Sequence, residues 1–209
     1  MRQFELKLHN ILQTLIKTNY VLSIIQFGSS IRRKTDNDID LAIILKGETY
    51  NKLFKKLGKF NIEGFDISVI KEEELKNLKQ FKFGSHGLHF AKSLKNGKIL
   101  YGPNPFLKIN LNRFEIKKSI INRLYDYIYN VRKEFFSKNI NISIKQRWPK
   151  FLRLCLYLIN DNLIYPDVLD LNTKQVNKFL KQNGIRLPKN LLLAYETIWE
   201  KVLKKEQII

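Results

Sequence analysis

The sequence predicts an α/β domain followed by an all-helical one, and three observations carry that reading. From Val21 to Tyr101, apolar runs of strand length alternate with amphipathic stretches, the layout of a sheet covered by helices. After Gly102-Pro103-Asn104-Pro105, two prolines and a glycine in four residues, the texture changes to long helical periodicity. At 209 residues, 44% hydrophobic and 12% aromatic, the chain can fill one large core or two small ones and does not read as disordered.

The elements follow in order. Leu6, Ile11, Leu15 and Ile16 recur at roughly helical spacing and predict a helix over 3–18. Val21 to Phe27 reads as a buried strand that Gly28-Ser29 ends. Thr35-Asp36-Asn37 is a turn cluster, and Ile39 to Leu45 is a second buried strand. Glu48 to Lys59 is helical, with Leu53, Phe54 and Leu57 on one side. Phe65 to Ile70 is a third strand, 71–82 a polar-faced helix and 86–95 another helix. Asn96-Gly97 turns into Lys98-Ile99-Leu100-Tyr101. Beyond the proline-rich turn, Ile116, Ile120, Leu124, Tyr127, Ile128 and Val131 make one long stripe over 113–136. Helices over 145–160, 172–183 and 188–205 complete the chain, with Asn172 as a cap, Gly184 as a stop and Pro188 as an opening. The expected domains are 1–106 and 107–209.

Bulk properties narrow the classes. No apolar run approaches the ~18–20 residues that span a bilayer, and the N-terminus lacks the layout of a signal peptide. Cys155 is alone, which fits a reducing compartment. A cytoplasmic protein with no membrane association is expected. Charge is lopsided: 38 Lys+Arg against 19 Asp+Glu give +19. Up to residue 106 there are 18 basic and 10 acidic residues, and after it 20 and 9, so the excess is spread over both halves. A polyanionic partner such as RNA or DNA is one reading; solubility from charge is the other.

The chemistry lies in Phe27-Gly28-Ser29 and, after eight intervening residues, Asp38-Ile39-Asp40-Leu41. Side chains alternate along a strand, so Asp38 and Asp40 share one face and Ile39 and Leu41 the other. Asp66, between Phe65 and Ile67, repeats the pattern. If the strands are neighbours, three carboxylates converge. Two such charges about 4 Å apart repel by roughly 4 kcal/mol at an effective dielectric near 20, which a divalent cation would relieve. Gly28 permits a sharp turn and close approach of backbone N–H groups to a phosphate. Ser29 and Ser30 add hydroxyls; Arg32, Arg33 and Lys34 add cations, or form an exposed basic loop. Phe83-Gly84-Ser85 repeats the tripeptide, but no aspartate follows before Asp126.

These residues resemble the nucleotidyltransferase superfamily typified by DNA polymerase beta, and most closely its minimal prokaryotic members. The resemblance covers about residues 20–101 and includes the ending Lys98-Ile99-Leu100-Tyr101-Gly102. It implies a small mixed sheet and a helical bundle after it. It implies an Mg²⁺-dependent enzyme, with two ions and Mn²⁺ as a possible substitute, moving a nucleoside monophosphate from an NTP to an acceptor with release of pyrophosphate. Asp38, Asp40 and Asp66 would be catalytic and metal-ligating; Gly28, Ser29, Ser30, Arg32 and Arg33 would hold the nucleotide. Ser30 to Asn37, eight residues without a glycine, is tighter than small members usually show.

The acceptor is open among a nucleic-acid end, a partner protein and a small hydroxylated molecule; an aminoglycoside-like cation ranks last against a charge of +19. The same resemblance implies a second reading: an antitoxin-like or nucleic-acid-binding protein with a weak or inactive site, since minimal members work beside all-helical HEPN-type proteins. No histidine follows His89, so the helical half lacks the ribonuclease motif of such partners. His86 and His89 sit at helical spacing with no third ligand. Asp161, Asp167 and Asp170 read as loop and cap residues. The aromatics among basic residues, Trp148, Tyr125 and Tyr129 included, read as core or as stacking surface.

Overall fold

The structure is a computed structural model and describes residues 2–31, 38–47, 50–60, 62–76, 87–137 and 142–207. It divides into two compact units, Met1–Asn112 and Arg113–Ile209.

The first unit is a four-stranded mixed sheet in the order β3-β2-β1-β4, built from β1 (Val21–Phe27), β2 (Ile39–Leu45), β3 (Phe65–Lys71) and β4 (Lys98–Tyr101). β1 runs antiparallel to β2 and β4, while β2 and β3 are parallel. A parallel pair needs a crossover, and α2 (Tyr50–Leu57) supplies it. Leu41, Ile43 and Leu45 pack with Leu53 and Leu57 of α2 and with Ile11 and Leu15 of α1 (Arg2–Ile16). The opposite face carries Ala42 and Ile44, covered by Phe90, Ala91 and Leu94 of α3 (Gly87–Lys95) and by Phe106 and Ile109. Val21 and Ile24 share a face although three residues apart; a register irregularity at Val21/Ser23 flips the alternation.

Both faces of β2 are thus covered, the Asp40 face included. That face is apolar at Ala42 and Ile44 and becomes polar at its open end. Past Leu75, the helix expected over 71–82 is described only as a short 3₁₀ turn, Glu72–Leu75, followed by Lys76; residues 77–82 lie outside the described residues.

The Gly102-Pro103-Asn104-Pro105 turn is packed tightly. A Cβ on Gly102 would collide with the Leu22 carbonyl. Buried Asn104 donates to the Leu94 carbonyl at 2.9 Å and accepts from the Phe106 backbone N–H at 2.9 Å. Phe106 is fully buried, and the first unit runs on to Asn112.

The second unit holds α4 (Arg113–Ser137), α5 (Ile142–Ile159), α6 (Thr173–Gln182) and α7 (Leu191–Lys205). α5 is central: it meets α4, α6 and α7 and buries Phe151, Leu152, Leu154, Cys155, Leu156 and Leu158. Burial pushes the Cys155 thiol well above its ordinary pKa, so it is plain core. Asn172 caps α6 in a reciprocal capping box with Gln175. α7 is capped by Asn190 rather than opened by Pro188, because the Asn190 side chain accepts the Leu193 N–H at 3.1 Å. Trp148 is half-buried and packs against the core rings of Phe151 and Tyr195, whereas Tyr125 and Tyr129 are exposed. Asp161 accepts from Lys117 at 3.1 Å and lies 3.3 Å from Lys205 Nζ. Those two ammonium groups hold its carboxyl below the ordinary range, so Asp161 ties the ends of α4 and α7 to the loop after α5.

Candidate active site

β1 ends at Phe27 where β2 and β3 begin, and strand register places the site there. Phe27 pairs with Asp40, and Asp40 pairs with Asp66. The parallel register puts Asp40 and Asp66 side by side on one sheet face, since partners across neighbouring strands point the same way. Asp38 lies just ahead of β2, whose first residue donates to the Gly64 carbonyl at 2.9 Å. Asp38 and Asp66 are exposed and Asp40 is half-buried. The open rim of the sheet thus carries three carboxylates over an apolar floor that includes Phe27, Ala42 and Phe90.

The turn after β1 is built around Asp40. Gly28 has φ +76°, and a Cβ there would fall inside the Asp40 carboxylate. Glycine is required twice, for the left-handed backbone and for the space that the carboxylate takes. Gly28→Ala is therefore expected to destabilise wild type more than it destabilises Asp40→Ala. In that background only backbone strain of about 1–2 kcal/mol remains. Equal losses in a double-mutant cycle followed by thermal melts would show that no collision exists.

Ser29 to Ile31 form a 3₁₀ turn with no buried residue. The Ser30 hydroxyl donates to the Phe27 carbonyl at 3.2 Å and accepts from Gln26 Nε2 at 3.1 Å. Ser30 closes the turn, and Ser29, half-buried, opens it. Sequence reading missed Gln26, whose place at the strand end beside Gly-Ser was the only signal. Arg32 and Arg33, with Lys34 and Asp36, lie outside the described residues, as do His86 and the second Phe-Gly-Ser. His89 is buried on α3.

The donor set suits a hard divalent cation: carboxylate oxygens on adjacent strands with open space beyond them. Among the described residues no three His, Cys, Asp or Glu side chains gather closely enough to form a ready metal cluster. Were Mg²⁺ to bind there, Asp40 and Asp66 would hold it and leave its other positions to water or substrate oxygens.

No family model matches the chain, and no curated protein matches it by sequence. Solved structures do. A spectinomycin adenyltransferase from Enterococcus faecialis, determined with ATP and spectinomycin, is similar at TM-score 0.58 and 12% identity, covering 99% of both chains. A nucleotidyltransferase-like protein from Exiguobacterium sibiricum reaches TM-score 0.35 at 14% identity, over 97% of this chain and 75% of that one. Among the described residues no helix is long and apolar enough to cross a membrane. A small mixed sheet followed by a helical region is the fold that this chain shares with the adenyltransferase over its whole length.

Proposed function

We propose that the chain is an Mg²⁺-dependent nucleotidyltransferase that moves a nucleoside monophosphate from an NTP to an acceptor hydroxyl. The observation that carries the reading is the register: Asp40 and Asp66 side by side at the sheet rim, with the left-handed Gly28 turn folded against Asp40. In this reading the backbone N–H groups at Gly28-Ser29 and the Ser29 hydroxyl hold the triphosphate, with Arg32 and Arg33 adding charge. Asp66 takes the proton of the acceptor hydroxyl. The acceptor oxygen bonds to the α-phosphorus, the bond from that phosphorus to the bridging oxygen breaks, and pyrophosphate leaves. Mg²⁺ held by Asp38, Asp40 and Asp66 would neutralise charge on the attacking and departing oxygens.

The charge of +19 favours a nucleic-acid end, or an acidic partner protein, as acceptor. Residues 107–209 would be the domain that receives it. A second reading takes a small hydroxylated molecule as acceptor, favoured by the whole-length similarity to an adenyltransferase determined with spectinomycin. The test is incubation with each α-phosphate-labelled NTP and Mg²⁺, offering total RNA, protein extract and a small-molecule extract separately. Label is expected in RNA or in a protein band; label only in the small-molecule fraction selects the second reading. No label in any fraction from folded protein would overturn the transferase and leave an antitoxin-like or nucleic-acid-binding protein.

A further inference from the structure

Counted by halves the positive charge is evenly spread, and it includes stretches that hold no acidic residue. Residues 171–195 hold five Lys or Arg and no Asp or Glu. α6 lies within that segment and turns Val176 and Leu180 inward. Lys174, Lys178 and Lys181 are exposed. At 100° per residue they fall within about 60° of one another, along about 10 Å of helix. At the C-terminal end of α6 a cavity of about 490 Å³ opens, with Leu180, Ile185 and Leu187 as its apolar lining and Asn177, Lys181 and Arg186 as its polar one.

We propose that this face of α6, with the cavity at its end, is a nucleic-acid docking surface. The lysine row meets successive phosphates, and a nucleobase enters the cavity with Lys181 and Arg186 on the flanking phosphates. Charge complementarity and cavity chemistry favour a strand over an acidic protein. Between residues 171 and 192 no large hydrophobic side chain is exposed, so the face lacks the apolar contacts on which protein partners usually anchor. A nucleotide unit supplies a flat apolar body and an anion together. The proposal deepens the acceptor reading above and rests on it for the use made of the bound strand.

The experiment is equilibrium binding of a labelled single-stranded oligouridylate to the full chain, without NTP, across a salt series. With four cations engaged, affinity is expected to fall about fifty-fold between about 50 and 200 mM salt, and only about two- to three-fold in K174Q/K178Q/K181Q. K52Q/K55Q/K56Q removes the same charge from exposed positions on α2 and is expected to bind like the parent. Equal losses in the two triple variants, or no loss in the α6 variant, would overturn the proposal. So would polyglutamate displacing the oligonucleotide as well as polyuridylate does. Asp40→Asn is expected to bind normally while failing to transfer, so a failure of docking and a failure of chemistry read out separately.

Discussion

Asp40→Asn is expected to lower label transfer about a hundred- to a thousandfold, the scale on which losing one preorganised electrostatic group acts at a reacting centre. Asp40 is the hub of the site. It pairs with Phe27 at the end of β1 and with Asp66 across the parallel ladder, and its carboxylate takes the space that a side chain at Gly28 would fill. The substitution is nearly isosteric and leaves the apolar layer beneath untouched, so secondary structure and the melting transition should persist. Asp66→Asn, at an exposed position, should lose transfer while shifting Tm by no more than about 2–4 °C. Transfer within tenfold of wild type in Asp40→Asn would remove the carboxylate pair as the seat of the chemistry.

Phe106→Ala is expected to cost about 3–5 kcal/mol, the range for truncating a fully buried aromatic. Phe106 lies directly after the proline-rich turn, yet it packs in the layer that covers Ala42 and Ile44. Asn104 ties the turn to α3 through Leu94 and holds the Phe106 N–H. Leu107, the next residue, is 54% exposed, so Leu107→Ala should stay within about 0.5 kcal/mol. Urea melts should therefore separate the neighbours by midpoint at unchanged slope. Similar midpoints would mean that the segment after the turn does not contribute to the core of the first unit.

Much of this protein was legible locally. The limits of β1 and β2 follow from apolar runs, because a strand buried on both faces needs an unbroken apolar stretch; the start of β3 and both ends of β4 follow from the turn residues beside them, Gly64, Asn96-Gly97 and Gly102-Pro103. The α6 cap was legible because Asn172 and Gln175 satisfy each other within four residues. Ser30 was less legible: the resemblance implied a nucleotide contact, and nothing local announced its bonds to Gln26 and Phe27. The turn at 102–105 looked like a separator because proline and glycine end regular structure whether the chain leaves a core or folds back onto it.

By itself the sequence determined the fold class and the apolar runs that become strands, since both depend on nearest neighbours and side-chain period. Only the tertiary structure decided that Asp40 and Asp66 are partners, that Gly28 makes room for Asp40, and that the first unit runs past Phe106 to Asn112. Those facts depend on pairing between segments far apart in the chain, where hydrogen-bond register and shared burial, not local propensity, select the arrangement.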